Sequence, residues 1–400
     1  MNILVLASEY PYEKDTNADR TKVVGYFARE WVRQGHRVLV IVNSSVFPTV
    51  YYKLGNWMKK IVSKTFDVSR MPERLWARRF SYDDSGVQVE NIPIMKSVPH
   101  GKFSKYALSK QLNEILSVLR IKGFSPDVVT GHWVNPQLML IHKVAEKYNA
   151  KSAFVFHADY GKKTYAKFNV QKYIDRIDHV GFRSQSALCV AKEYMQFKAE
   201  PFVAASGIPD KYISDNKIEK SFSEHITIIS AGRLVEYKKI DVALQAAIRA
   251  FKDENYDFAV AGDGPLKTKL QSFINENKQE EHIHLLGQIE RDSLQELMRE
   301  RDIFVLVSKH ETFGLVYLEA MLQGCIVIAS KFGGADGIIK DGENGFLCEE
   351  GNEEELVQIF TKIKTLSKEK KISLSQRAIE TAKEYSESNT ARNYLDKVST

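Results

Sequence analysis

The chain has 400 residues, 44% of them hydrophobic and 27% charged, with 22 glycines, 10 prolines and a formal net charge of +6. At roughly 150 residues per domain this suffices for two or three domains, each long enough to bury its own core. The composition excludes a collagen-like, disulfide-framework or wholly disordered chain, and the charge balance is mild.

Short runs rich in Val, Ile and Phe predict buried strands at residues 3–7, 38–42, 127–130, 152–157, 226–231, 257–261, 303–307 and 326–329. Amphipathic stretches between them predict helices at 23–34, closed by Gly35, and at 105–121, 240–252, 266–277 and 291–300. Strands alternating with helices argue for an α/β protein with parallel sheets covered on both faces. The pattern restarts near Ile226, after a stretch with Gly207, Pro209 and the polar run Ser214-Asp215-Asn216-Lys217 that reads as a linker. Two α/β halves are therefore expected, with a ligand cleft facing the carboxyl ends of the strands.

No apolar run approaches the ~20 residues that span a bilayer, and the first one ends at Glu9 without a basic segment before it, unlike a secretory signal. Cys189, Cys325 and Cys348 lie far apart without metal-ligand spacing, so a reduced, cytosolic protein is expected. Between Tyr51 and Lys110 stand 12 Lys/Arg against 5 Asp/Glu. That imbalance fits an acidic partner (phosphate, nucleic acid or an anionic membrane) or simply a solvated face.

The second half carries the sharpest motifs. Arg233 follows the strand ending at Ala231, with Lys238 five residues on. Guanidinium and ammonium at a strand's carboxyl end suit a diphosphate. They can also be surface residues, but cations at a helix N-terminus oppose its dipole unless an anion binds there. The turn Ala261-Gly262-Asp263-Gly264-Pro265 reads as structural, and its glycines would permit close backbone approach to a ligand. In Glu311-Thr312-Phe313-Gly314-Leu315-Val316-Tyr317-Leu318-Glu319 the first Glu precedes a helix. Phe313, Gly314 and Leu315 offer backbone N–H groups to an anion at its N-terminus. Glu319 lies inside that helix among apolar residues, where a lone carboxylate is costly unless paired. Eight residues of helix span roughly 12 Å, so one Glu could hold a hexose and the other a ribose diol. A helix-start Glu with an internal salt bridge is the plainer reading. In the first half, His132 follows a predicted strand and His157 ends one, and without a third ligand they make no metal site.

In this order and spacing the residues resemble family 4 of the retaining glycosyltransferases, which has the GT-B fold. The carriers are Glu311 and Glu319 in Glu-Thr-Phe-Gly-Leu-Val-Tyr-Leu-Glu-Ala, Ala231-Gly232-Arg233-Leu234 with Lys238, and Ala261-Gly262-Asp263-Gly264-Pro265-Leu266. Upstream, Gly35-His36-Arg37-Val38 and His157 match as well, so the resemblance covers nearly the whole chain. It implies two Rossmann-like domains facing across a deep cleft. They would be 1–207 with a returning helix in 383–400, for the acceptor, and 208–382, for the nucleotide-sugar donor. It implies that Arg233 and Lys238 hold the diphosphate in place of a metal, so that no cofactor or metal is needed. Glu311 and His157 would contact the transferred sugar, Glu319 the ribose, and Gly287, Gln288 and Ile289 the base. Phe313, Gly314 and Leu315 would face sugar and phosphate, and Gly262 would let the backbone approach. The anomeric configuration would be retained.

Four positions depart from the family pattern. The loop 10–20 has no glycine, so Asn17 or Arg20 would replace close backbone approach, beside His132 on the acceptor side. Gly337 stands where a Glu is usual, Lys239 where a Gly is usual and Ser206 where an Asn is usual. A hexosyltransferase using a nucleotide sugar, UDP-linked by expectation, fits best. The basic, aromatic stretch 51–110 suggests an acceptor on a lipid diphosphate at an anionic membrane face, as in capsule, exopolysaccharide or O-antigen assembly. The rivals are a sugar-nucleotide epimerase on the same fold and a non-catalytic scaffold of an assembly complex. Nucleic-acid binding is disfavoured, because the basic segment holds no recognisable module.

Overall fold

A computed structural model describes residues 1–14, 21–48, 53, 74–96, 101–157, 161–214, 218–252, 254–309 and 311–400. Asn17 and Arg20 lie outside the described residues, as does much of the basic stretch 51–110. The chain divides into two units. The first holds Met1–Arg183, Ala187–Ala204 and Ala391–Thr400, and the second holds Ser184–Ser186 and Ala205–Thr390.

The first unit is built on an eight-stranded sheet. Its strands are β1 (Asn2–Ala7), β2 (Arg37–Val42), β4 (Phe80–Asp84), β5 (Val87–Asn91), β7 (Val128–His132), β8 (Lys151–Phe156), β9 (His179–Phe182) and β10 (Phe202–Val203). Their order is β10-β9-β8-β7-β1-β2-β5-β4, all parallel except the β4/β5 hairpin. The short β3 (Ser45–Val46) and β6 (Ile94–Met95) pair separately. In β1, Leu4 and Leu6 enter one core while Ile3, Val5 and Ala7 enter the other. That period of two explains why a strand covered on both faces reads as a continuous apolar run. Helix α1 (Val23–Arg33) covers one face and α2 (Lys105–Ile121) the other.

The second unit has six parallel strands: β11 (Ile226–Ala231), β12 (Tyr256–Ala261), β13 (Ile283–Gly287), β14 (Ile303–Leu306), β15 (Ile326–Ser330) and β16 (Phe346–Cys348). Their order is β13-β12-β11-β14-β15-β16. The chain reverses direction across the sheet between β11 and β14, the switch point where such sheets open a crevice beyond their carboxyl ends. Around this sheet pack α3 (Ile240–Ala250), α4 (Arg291–Arg299), α5 (Leu315–Leu322) and α6 (Lys368–Glu384). Ile208 bridges to Ser386, and a Cβ on Gly207 would meet the Glu387 backbone at 2.4 Å, so residues 205–208 belong with the second unit. The last helix, α7 (Glu387–Ser399), ends in the first unit. There Ala391, Tyr394, Leu395 and Val398 join the core of α1, and Trp31 Nε1 donates to the Ala391 carbonyl at 2.9 Å. No helix among the described residues is long and apolar enough to cross a membrane.

Candidate functional site

The loops after β11, β12 and β13 are fastened to one another through their backbones. Gly232 N donates to Ala261 O at 2.9 Å and Gly262 N to Gly287 O at 2.7 Å. Gly262 has φ +144°, and a Cβ there would stand 1.9 Å from the Gly232 carbonyl oxygen. Only a residue without Cβ lets the loops close this far.

Beyond these strand ends lies a cavity of about 390 Å³. Ala231, Gly232, Lys238, Ala261, Gly262, Gln288, Ile289, Leu294, Glu311, Gly314, Leu315 and Val316 line it. Four strand-end loops thus bring together residues separated by more than eighty positions of sequence. Lys238 ends a single helical turn, Glu236–Lys238, and its ammonium pairs with the Glu311 carboxylate. Their side chains are 13% and 17% exposed. Lys239 next to it has φ +52°, a left-handed conformation that glycine adopts at less cost than lysine. Gly314, at φ +69°, turns the chain into α5, and as a glycine it brings no capping side chain of its own. Leu315 and Val316 of the first turn of α5 line the cavity, where a helix N-terminus favours negative charge.

Several predicted site residues sit elsewhere. The Phe313 side chain is buried in the core of the second unit, while Gly314, Leu315 and Val316 line the cavity. Gly287 holds Gly262 through its carbonyl, while Gln288 and Ile289 line the wall. Arg233 is exposed, outside the lining, and no described side chain pairs with it. Gly337 has φ +80°, a conformation that a glutamate at that position would adopt only at a cost.

Glu319, 6% exposed, is paired. Arg291 Nε and Nη2 reach its Oε1 at 2.7 and 2.5 Å. Burial pushes the Glu319 carboxyl above its ordinary value, and Arg291 pulls it part of the way back. Arg291 was not among the predicted site residues. Its signal was the one that singled out Arg233 and Lys238, a cation at a helix start opposing the dipole.

In the first unit, β7 and β8 are neighbours, and their register sets His132 opposite Val155. His132 Nδ1 lies 2.9 Å from His157 Nε2, and the His157 ring stacks on Trp133 at 4.2 Å between centroids. His132 is fully buried, with Tyr394 Oη 3.5 Å from its other nitrogen, so it backs His157 and does not itself reach an acceptor. Burial, then Arg183, lowers His132 to about 3, and burial, then His132 and Arg183, holds His157 well below the ordinary value. Both rings are neutral at pH 7. In the unfolded chain they protonate near 6.5, so between that pH and their native values the unfolded state binds more protons. Stability is then full above pH 6.5 and falls below it, by about 1.4 kcal/mol per pH unit for each ring. We expect the thermal midpoint to drop between pH 6.5 and 5, above the range where most carboxylates titrate. A flat midpoint there would contradict two neutral histidines.

Residues 212–385 match the family model described as Glycosyl transferases group 1. An uncharacterised glycosyltransferase of Methanocaldococcus jannaschii is 26% identical over 336 residues, 79% of this chain and 87% of that protein. A glycosyltransferase from Rickettsia africae superposes with a TM-score of 0.69 at 16% identity, over 99% of this chain and 97% of that one. Anabaena HepE, solved in complex with UDP, superposes with a TM-score of 0.67 at 16% identity over all of both chains. The second unit carries the group 1 glycosyl transferase domain, and the protein is a glycosyltransferase with the GT-B fold.

Proposed function

We propose that the protein is a retaining, metal-independent hexosyltransferase. Its donor is a nucleotide sugar, UDP-linked, and its acceptor is a glycan or a lipid-diphosphate-linked sugar in capsule, exopolysaccharide or O-antigen assembly. The observation that carries the reading is the cavity beyond β11–β14, where Lys238, Glu311 and a helix N-terminus converge. An ammonium and helix N-terminal amides suit a diphosphate, and a carboxylate suits sugar hydroxyls. That the structurally similar HepE was solved with UDP supports a nucleotide there.

In this reading the anomeric carbon–oxygen bond to the diphosphate breaks as the acceptor oxygen approaches from the same face. The departing phosphate oxygen takes the acceptor's proton. Lys238 and Arg233 stabilise the charge that develops on the diphosphate, and the amides of Gly314 and Leu315 add to it. Glu311, released from Lys238, takes the sugar hydroxyls, as does His157. Gln288 and Ile289 meet the base and Glu319 the ribose. The acceptor assignment rests on the excess of Lys and Arg between Tyr51 and Lys110, which suits an anionic membrane face at which the protein would sit peripherally.

The test is a thermal-shift panel of UDP-, GDP-, ADP- and dTDP-sugars with EDTA present, on the wild type and on Glu311→Gln and Arg233→Ala. A bound ligand raises the midpoint by mass action. One nucleotide class should shift the wild type by several degrees and the variants less. No shift with any member would overturn the reading, and a shift that needs a divalent metal would overturn its metal independence.

A further inference from the structure

The Glu319 carboxylate is gripped at one oxygen. Both Arg291 nitrogens reach Oε1, and among the described residues none donates to Oε2. A guanidinium meeting a carboxylate fork to fork would occupy both oxygens. Here it approaches from the side and leaves one free. Arg291 is also the first residue of α4, where its charge opposes the helix dipole. Its own helix gives no reason for a cation there, whereas Glu319 on α5 does. Across the guanidinium lies the Tyr212 ring, 5.6 Å from its central carbon. The Tyr212 hydroxyl and Lys211 both bond to Asp292, which steadies that ring. Arg291 is the charged group that faces the carboxylate, while Lys211 and Asp292 offset each other behind it.

We propose that Arg291 is a positioning residue: it keeps the buried Glu319 ionised and turned so that Oε2 receives the vicinal hydroxyls of the nucleotide's ribose. This rests on the reading of Glu319 as the ribose contact. An ionised carboxylate accepts from two hydroxyls at once with charge assistance, whereas a protonated one carries a donor and accepts more weakly. Without Arg291 no other described residue offsets the desolvation that favours the neutral acid. Ribose recognition should then fail first at low pH, with the protein otherwise intact.

The experiment compares binding of a ribonucleoside diphosphate, UDP first, with that of its 2′-deoxy form by calorimetry at pH 8.5 and pH 6. The proteins are the wild type, Glu319→Gln, Arg291→Gln and Arg291→Lys, each checked by its thermal midpoint. The wild type should prefer the ribose form by about ten- to a hundredfold at both pH values, the worth of a charge-assisted hydrogen bond. Glu319→Gln should lose the preference at both. Arg291→Gln should keep part of it at pH 8.5 and lose it at pH 6, and Arg291→Lys should restore it at pH 6. A full preference in Arg291→Gln at both pH values would overturn the role of Arg291 and leave that of Glu319 standing. An equal loss at both pH values would overturn the ionisation. No preference in the wild type would overturn the ribose reading itself.

Discussion

Replacing Lys238 with alanine is expected to lower kcat by about a hundred- to a thousandfold, the usual consequence of removing one preorganised donor from a site of developing charge. The ammonium is placed by the end of the Glu236–Lys238 turn, and its side chain and that of its partner Glu311 are largely shielded from water. In that environment a single charge stabilises a departing diphosphate far more than it would in water. The substitution also strands the Glu311 carboxylate, so part of its effect is structural. The double variant Lys238→Ala/Glu311→Gln removes the stranded charge. Its thermal midpoint should recover toward the wild type while kcat stays low. A Lys238→Ala enzyme within tenfold of the wild-type rate would contradict the role given to this residue.

Gly262→Ala should cost about 2–4 kcal/mol, in the range of a forced overpacking with backbone displacement. The new Cβ would lie 1.9 Å from the Gly232 carbonyl oxygen and 2.9 Å from its carbon. Neither is the end of a flexible side chain. Both belong to a loop fixed by the backbone bonds of Gly232 to Ala261 and of Gly262 to Gly287. The loops must separate, and they are the same loops that wall the cavity, so nucleotide binding should weaken as well. Gly342 supplies the control. At φ +72° with nothing within 4 Å of an added Cβ, Gly342→Ala should cost only the conformational penalty of about 1–2 kcal/mol and leave binding unchanged. Denaturant midpoints and calorimetry on the two variants check both statements, and equal losses would contradict the packing argument.

Much of the second unit was legible because its strands are covered on both faces. The predicted strand 226–231 coincides with β11, and the predicted helix 105–121 in the first unit coincides with α2. Of what was missed, β9 is buried but only four residues long, and three other strands are polar or partly exposed. In β4 and β5, Phe-Ser-Tyr-Asp-Asp and Val-Gln-Val-Glu-Asn alternate and carry charge, since they form the antiparallel edge of their sheet. In β13, Ile-His-Leu-Leu-Gly is only partly buried at the edge of the second unit's sheet.

The site was legible where chemistry marked it and illegible where packing decided. Nothing in the order Phe313-Gly314-Leu315 says that the phenylalanine turns into the core, because that depends on the left-handed turn at Gly314. His132 and His157 each stood at a strand end, but their contact follows from β7 lying beside β8, which no local pattern reveals. The expected cost of a lone buried Glu319 was sound, and it pointed to a partner that turned out to be Arg291, twenty-eight residues earlier.

The most direct test of the central claim is proton NMR of the protein with its nucleotide sugar and EDTA, without acceptor. Water then serves as a poor acceptor. The account predicts slow release of free sugar with the donor's own anomeric configuration appearing first, and loss of that release in Lys238→Ala. Release of the opposite anomer first would contradict retention, and conversion of the donor into an epimeric nucleotide sugar would contradict transfer altogether.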